Sequence, residues 1–268
     1  MKKRILSVIL AAALSLTVFA GCGGGNADTT GDAANKDTYV IGLDPEFPPM
    51  GFKDDSGNII GFDIDLGDAV AEEMGVTFKY QPIDWASKEM ELDTGSIDMI
   101  WNGFTKTPER EEGMTLTKAY LDNAQVIVVP ADSSINKKDD LEGKNICLQK
   151  DSSAKDALDK DEIASKVGSV SELSSNVDCF QDIEMGRTEA MVVDKVVAKY
   201  YTSLETNEGK FRILEDELSE EEYVIAVKKG NDELKDKVEE AIQKVIDSGK
   251  GAEISEKWFG EDIISFDE

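Results

Sequence analysis

Two segments carry residues suited to binding a small anion. Arg110 follows Thr107-Pro108-Glu109, in which threonine can cap a helix and proline can occupy its first turn. Its guanidinium can hold both oxygens of a carboxylate in a planar fork, or it can pair with a nearby glutamate. Ser152-Ser153-Ala154 opens a second predicted helix, where free N–H groups favour an anion. Both segments therefore suit a carboxylate ligand, with plain helix capping as the alternative for the serines.

The sequence lacks groups on which many catalytic and metal sites depend. It contains no histidine, which excludes Ser-His-Asp and Cys-His catalysis and histidine-ligated metals. A calcium loop beginning at Asp63 also fails, because Asp68 stands where the loop needs glycine and Met74 where it needs glutamate. We expect no metal, no cofactor and no catalytic residues, although carboxylates leave acid–base chemistry open.

Strand patterns recur along the chain and position these residues. Short strands are predicted at Tyr39–Leu43, Asp98–Trp101, Ala190–Val193 and Tyr223–Val227, and the third leads directly into Asp194. Helical patterns lie between the strands, which predicts an α/β architecture with mostly parallel sheets. About 230 ordered residues suit one domain or two.

Two helices have the clearest patterns. One covers 64–74, with Asp63 as its predicted N-terminal cap and Gly75 as its stop. The other is a long amphipathic helix over 233–246. Residues 54–57, Asp-Asp-Ser-Gly, predict the turn of a hairpin before the first helix.

The N-terminal residues are typical of an export signal. Lys2-Lys3-Arg4 precede the apolar run Ile5–Phe19, which is too short to span a membrane comfortably. Small residues then lead to Cys22, a context that resembles the bacterial lipobox and implies a diacylglycerol on this cysteine. We expect a signal peptide over 1–21, a flexible tether over 22–37, and a mature protein anchored to the extracytoplasmic side of the cell membrane. The alternative is an ordinary signal peptide with an unmodified cysteine.

The net charge limits the classes of binding partner, and the two remaining cysteines raise the question of a disulfide. The formal net charge of −27 argues against nucleic acid or an anionic membrane face as a partner. Cys147 and Cys179 lie on separate predicted elements. Two cysteines outside the cytoplasm can form a disulfide, so a bridge and two buried free thiols remain alternatives, of which we favour the thiols.

Several blocks of residues, in this order, resemble the bacterial extracellular solute-binding proteins of family 3, the polar amino acid receptors of ABC importers. The blocks are Gly61-Phe62-Asp63-Ile64-Asp65-Leu66 with Val70-Ala71 and Met74, Gly42-Leu43-Asp44-Pro45, Ile97-Asp98, Thr105 to Arg110, Gln149 to Ala154, and Gly186-Arg187 to Asp194. The resemblance extends from Tyr39 to Phe259.

This resemblance implies the two-lobed type II periplasmic-binding-protein fold. Each α/β lobe would contain a mixed sheet flanked by helices, and a two-strand hinge would join them. Lobe one would comprise 38–121 and 229–268, and lobe two 122–228. The chain would cross between the lobes near 121–123 and 228–230. The ligand would bind in the cleft between the lobes, which closes on it.

The resemblance also assigns roles to residues at the two charged ends of an amino acid. Arg110 would hold the carboxylate together with the hydroxyl and N–H of Thr105, and Ser153 would complete that site from lobe two. Asp194 would bind the ammonium. At Gly103, where some relatives have a serine, only the backbone carbonyl could contribute.

Five further positions match residues that face the ligand side chain in relatives: Asp44, Phe47, Met50, Trp85 and Asn102. The aspartate could take a cationic or amide end group, and the tryptophan favours a cation on its face. Core packing is the alternative for the phenylalanine, the methionine and the tryptophan. Asp151 departs from the family pattern because it replaces a glycine before the serine pair and brings a negative charge close to the expected carboxylate site; aspartate tolerates left-handed backbone.

The expected function is that of a monomeric, lipid-anchored receptor. It would bind a polar L-amino acid, basic or amide-bearing, by hinge closure and deliver it to ABC importer permease subunits. L-Cystine is an alternative ligand. A ligand sensor without an importer and a dehydratase on the same scaffold are alternative functions, although we expect no enzyme.

Overall fold

The computed structural model describes residues 36–266. The predicted signal peptide over 1–21, the lipidation site Cys22 and nearly all of the tether over 22–37 lie outside the described residues. Within 36–266, no helix combines the length and apolar character needed to cross a membrane.

The described chain forms a mixed α/β fold. Its strands are Thr38–Leu43 (β1), Glu46–Phe47 (β2), Gly51–Lys53 (β3), Ile59–Ile60 (β4), Thr77–Pro82 (β5), Met99–Thr105 (β6), Met114–Leu116 (β7), Leu121–Pro130 (β8), Asn145–Gln149 (β9), Ser169–Leu173 (β10), Ala190–Asp194 (β11) and Phe211–Lys228 (β12). Its α-helices are Phe62–Met74 (α1), Lys88–Thr94 (α2), Pro108–Gly113 (α3), Ser153–Lys160 (α4), Asn176–Glu184 (α5), Lys195–Ser203 (α6), Asp232–Asp247 (α7) and Lys250–Phe259 (α8).

One large sheet runs through the fold in the order β10-β9-β11-β8-β12-β6-β1-β5, with β7 also paired to β12. Strands β1, β5 and β6 pair in parallel, as do β9, β10 and β11. Every pairing made by β8 or β12 is antiparallel. The prediction of mostly parallel sheets was therefore wrong, because two long central strands join the two parallel groups.

Strand β12 changes partners along its length. It pairs with β8 from Phe211 to Tyr223, and with β6 and β7 from Tyr223 to Lys228. Tyr223 is opposite both Leu121 and Thr105. The change of partners thus falls five residues before the crossing predicted near 228–230, because the register of β12 places its last residues beside β6. The division into lobes stays a prediction.

Helix α1 begins with a close approach of two backbone segments. Its N-terminal cap is Gly61, not Asp63 as predicted, and a Cβ on Gly61 would lie 2.2 Å from the carbonyl oxygen of Met50. Asp63 is buried in the first turn, where its carboxylate accepts hydrogen bonds from Gly103 N at 2.8 Å and Tyr120 Oη at 2.9 Å. This carboxylate therefore ties α1 to strand β6, which carries several of the predicted site residues.

Other local predictions are confirmed. Gly75 ends α1 in the left-handed conformation, with φ 68°. The hairpin turn over 54–57 joins β3 to β4, which pair antiparallel. Helix α7 covers the predicted 233–246 with one extra residue at each end. Cys147 and Cys179 are both buried and unbridged, as favoured.

Candidate ligand-binding site

Arg110 is a buried cation in a rigid setting. It lies on α3, whose cap Thr107 accepts a hydrogen bond from the Arg110 amide at 3.2 Å. Arg110 Nη1 donates to Thr105 O at 2.6 Å, and its Cζ lies 4.1 Å from the centre of the Phe104 ring. The residue is only 6% exposed, and burial lowers its pKa. Among the described residues no carboxylate lies within 4.0 Å, so the alternative of a surface ion pair is wrong.

Asp194 is a buried carboxylate at the end of β11. It occupies the N-terminal cap position of α6, but its side chain makes no capping hydrogen bond. Asp194 Oδ1 instead accepts from Asn123 Nδ2 at 2.8 Å, Gln125 Nε2 at 2.9 Å and Tyr223 Oη at 2.7 Å. Burial, and secondly the charge of Glu221, raise the pKa of Asp194 to about 7. Strands β8 and β12, and not α6, hold this carboxylate.

Thr105 and Ser153, from segments 48 residues apart, meet directly. Thr105 Oγ1 donates to Ser153 Oγ at 3.1 Å, and both residues are buried. Ser152 occupies the cap position of α4, yet its hydroxyl donates to Gln149 O at 2.7 Å and caps nothing. Side-chain capping therefore does not explain Ser152.

Glu221 on β12 joins this group and was not predicted. Its Oε2 accepts from Gln125 Nε2 at 2.9 Å and Asn123 Nδ2 at 3.2 Å, and it lies 3.0 Å from Thr105 Oγ1 and 3.4 Å from Ser153 Oγ, whose two hydroxyl hydrogens are shared among the three oxygens. Strand alternation was the available signal, because only every second residue of the acidic run turns inward. The signal was weak, since β12 is charged in this region and resembles a loop.

Asp44 follows β1 and forms a hydrogen bond with Gln149 at the end of β9, which belongs to the parallel group β9, β10 and β11. Its Oδ2 accepts from Gln149 Nε2 at 2.6 Å and its Oδ1 from Glu46 N at 2.8 Å, while its own N–H donates to Asn102 Oδ1 at 2.9 Å. Burial raises the pKa of Asp44 to about 6. Gln149 is a further residue that sequence reasoning missed, because an amide carries no distinctive pattern.

Lys88 is an unpredicted buried cation beside Trp85. Its Nζ lies 5.1 Å from the centre of the Trp85 ring and donates to Trp85 O at 3.3 Å and Asp151 O at 2.9 Å. Burial lowers the pKa of Lys88 to about 8. Asp151 has the left-handed backbone expected of it, with φ 52°, and its side chain is 52% exposed. The cation over Trp85 is thus one that the protein itself supplies.

The remaining predicted residues are packed. Phe47 and Met50 lie in the main hydrophobic core cluster, and Met50 is fully buried. Gly103 has φ 56°, and a Cβ there would lie 2.7 Å from Cε1 of Phe47. Asn102 is buried, and its Nδ2 has no hydrogen-bond partner in the described part of the chain. Phe47 lies on β2, Met50 precedes β3, and Asn102 and Gly103 lie on β6, and none of the four is charged.

Three hydrogen bonds connect the segments predicted to belong to different lobes. Asp44 with Gln149 and Thr105 with Ser153 are buried, and Lys88 with Asp151 is partly buried. The cation of Arg110 adjoins the second contact through Thr105 O, and the carboxylates of Asp194 and Glu221 adjoin it through Gln125. An arrangement of fixed opposite charges and hydroxyl groups can satisfy a small zwitterion after its water is removed.

A groove of about 1150 Å³ runs beside the crossing strands. Its lining includes Thr107, Asn123 and Glu221, together with Tyr200 and Trp258 from helices α6 and α8. Asn123 and Glu221 therefore face both the groove and the buried charges.

Comparison with known proteins agrees with this geometry. Residues 39–261 match the bacterial extracellular solute-binding proteins, family 3. The arginine-binding extracellular protein ArtP of Bacillus subtilis (strain 168) is 28% identical over 258 residues, which are 96% of this chain and 98% of that protein. The L-cystine-binding protein TcyJ of Escherichia coli (strain K12) is 27% identical over 261 residues, or 97% and 94% of the two chains.

The fold is shared with a solved relative. The crystal structure of an ABC uptake transporter substrate-binding protein from Streptococcus pneumoniae with bound histidine superposes with a TM-score of 0.85 and 34% identity. The match covers 90% of this chain and 100% of that one. The large mixed sheet flanked by helices is therefore a type II periplasmic-binding-protein fold, and the chain belongs to the bacterial extracellular solute-binding proteins, family 3.

Proposed function

We propose that this protein is the extracytoplasmic receptor of an amino acid ABC importer and binds a polar, basic or amide-bearing L-amino acid. The observation that carries the proposal is that two buried groups of opposite charge adjoin the contact between Thr105 and Ser153. Arg110 donates to Thr105 O, and Gln125 donates to both Ser153 and Asp194. A free amino acid has a carboxylate and an ammonium on one carbon. Each needs an opposite charge or several dipoles once it is buried.

Each charged group then has a role. Arg110 holds the ligand carboxylate in a bidentate grip, because its own contacts are a backbone carbonyl and a ring face. Ser153 at the start of α4 supplies hydroxyl and N–H groups from the other side. Asp194 binds the ammonium, with its orientation fixed by Tyr223 and Gln125. A ligand that binds residues of both predicted lobes makes more contacts when the cleft is closed, so its binding favours the closed form.

The ligand side chain points towards Asp44 in this proposal. Asp44 is buried and bonded to Gln149 across the two halves of the sheet, so it can accept from a terminal amide or cation. Trp85 is a less suitable partner for a ligand cation, because Lys88 already lies 5.1 Å from the centre of its ring.

L-Cystine is the second candidate ligand. Lys88 and Asp44 can carry opposite charges, and their hydrogen-bond partners, Asp151 and Gln149, are two residues apart in the chain. A second amino acid group could use such a pair, as the far end of cystine requires. A relative named as an L-cystine-binding protein supports keeping this candidate.

The lipid anchor, the extracytoplasmic location, the monomeric state and the absence of enzymatic activity belong to the same proposal. Labelling of the full-length chain with a fatty acid in cells should depend on Cys22, and Cys22→Ala should abolish it. A labelled Cys22→Ala variant would count against the anchor. Incubation with the bound amino acid, or with a prephenate-like acid, should show no turnover by NMR; turnover would revive the dehydratase alternative.

Ligand binding itself is tested by thermal shift. The purified chain is screened against the standard amino acids and L-cystine. A ligand at 100 times its Kd stabilises the native state by about 2.7 kcal/mol, so a basic or amide-bearing amino acid should raise Tm clearly. A panel without any shift would contradict the proposed function.

A further inference from the structure

Glu221 is a carboxylate that both halves of the fold contact. Its Oε2 lies within hydrogen-bond distance of the hydroxyls of Thr105, on β6, and of Ser153, on α4, and both residues have proposed roles on the ligand. Its neighbours Glu220 and Glu222 are exposed, whereas Glu221 is partly buried. Strand alternation therefore aims one acid of this run into the site and leaves the other two outside.

Glu221 and Asp194 share their hydrogen-bond donors. Asn123 Nδ2 donates to Asp194 Oδ1 at 2.8 Å and to Glu221 Oε2 at 3.2 Å, and Gln125 Nε2 donates to both at 2.9 Å. Two carboxylates on the same amide groups must lie close together. Within residues 36–266, neither one has a lysine or arginine nitrogen within 4.0 Å.

The two amide side chains that bind these carboxylates each have an acceptor oxygen without a partner. Asn123 Oδ1 and Gln125 Oε1 are buried and have no hydrogen-bond partner among the described residues. Their amide N–H groups are already used by the two carboxylates. The carboxylate oxygens and the unpartnered amide oxygens are all acceptors, and they suit a ligand group that only donates, such as an ammonium.

We propose that Glu221 is a second ammonium-binding carboxylate of this site, so that the α-ammonium of the ligand lies between Asp194 and Glu221. The inference rests on the proposed function. It also specifies the ligand class, because a primary ammonium with several N–H donors fits two carboxylates better than an amine without N–H groups.

The number of protons released when the ammonium binds depends on the groups that face Asp194. They are Glu221 and Tyr223 on β12, Asn123 and Gln125 on β8, and Arg110 on α3. Burial and the charge of Glu221 raise the pKa of Asp194 to about 7. Below that pH the carboxyl group of Asp194 is protonated. Its O–H bond must break, and the proton must pass to solvent, before the ammonium binds. Affinity should therefore fall by up to about tenfold for each pH unit below 7.

The test compares Glu221→Gln with Glu220→Gln, a matched control on the same strand whose side chain is exposed. Calorimetry uses L-arginine, L-histidine, L-glutamine and L-cystine as probes, at pH 5.5 and pH 8, in two buffers of different ionisation enthalpy. For a probe that the wild type binds, Glu221→Gln should bind about 10- to 100-fold more weakly at pH 8. It should also release fewer protons and show a flatter pH profile, whereas Glu220→Gln should match the wild type.

The outcomes separate this inference from the proposed function. If the wild type binds neither these probes nor any other amino acid of the thermal-shift panel, the proposed function fails. If the wild type binds and Glu221→Gln keeps its Kd within twofold, or binds more tightly, only the role of Glu221 is wrong. Folding is verified by a cooperative thermal melt. If Glu221→Gln does not fold, Glu221→Asp should fold and still lose affinity, and failure of both variants to fold would assign a structural role and overturn the proposal.

Discussion

Replacing Arg110 by alanine should separate ligand binding from protein stability. The guanidinium is 6% exposed and has only the Thr105 carbonyl and the Phe104 ring as close partners. Its removal therefore deletes a desolvated cation without stranding a carboxylate within 4.0 Å in the described part of the protein. The unfolding free energy of the free protein should change little, by about 1 kcal/mol or less, since the lost packing and the relieved desolvation oppose each other.

The ligand affinity of Arg110→Ala should fall much more than its stability. Truncating one partner of a buried charge pair costs about 2–5 kcal/mol, which corresponds to a Kd about 30- to 4000-fold higher. Arg110→Lys keeps the charge but loses the planar fork, so it should recover only part of the affinity. Calorimetry with the amino acid found by thermal shift measures Kd, and a urea titration measures stability.

Arg187→Ala provides the matched control. Arg187 is 55% exposed and pairs with Asp182 on the surface, so its loss should leave Kd unchanged. A Kd for Arg110→Ala within threefold of the wild type would refute the carboxylate assignment. An equal loss in Arg187→Ala would show that the effect is a general one of removing positive charge.

Three further changes test the surroundings of the site. Gly103→Ala should lower the unfolding free energy by about 1–3 kcal/mol, measured in urea, because its Cβ would lie 2.7 Å from the Phe47 ring at φ 56°; an unchanged midpoint would contradict this. Lys88→Met should speed ligand dissociation about tenfold in stopped flow, because the 2.9 Å hydrogen bond to Asp151 O is lost; an unchanged rate would remove Lys88 from closure. Burial raises the pKa of Asp63 from 3.8 to about 7, so its contribution to stability is present below about pH 4 and is lost as pH rises to 7. Asp63→Asn should therefore flatten the pH dependence of the urea midpoint between 4 and 7, and a slope equal to that of the wild type would refute it.

The sequence predicted those elements whose signals are local. Helices α1 and α7 were predicted because apolar residues recur at helical spacing, and Gly75 was predicted as a stop because a left-handed terminus favours glycine. The cap of α1 was mistaken because both Gly61 and Asp63 suit a helix start. Only the packing of Gly61 against the Met50 carbonyl decides between them.

Most of the features that the sequence did not predict depend on contacts between residues far apart in the chain. Strand β12 was predicted only over Tyr223–Val227, yet it extends back to Phe211. Phe211 and Leu214 are buried in the core, but acidic residues interrupt the apolar pattern between Leu214 and Tyr223, where β12 pairs with β8. Glu221 was missed with it. Lys88 and Gln149 were missed because their partners lie 63 and 105 residues away in the chain.

The positions of the two charged ends suggest why an amino acid should drive closure. Asp194 is held by Asn123, Gln125 and Tyr223, which all lie on the long strands β8 and β12. Arg110 instead lies on the short helix α3, which follows β6. A ligand that reaches from one to the other connects the predicted hinge strands to α3, and only a molecule with both charges can pair with both groups. An amine without a carboxylate would contact the hinge and leave Arg110 without an anion, so it should bind without the same bias towards the closed form.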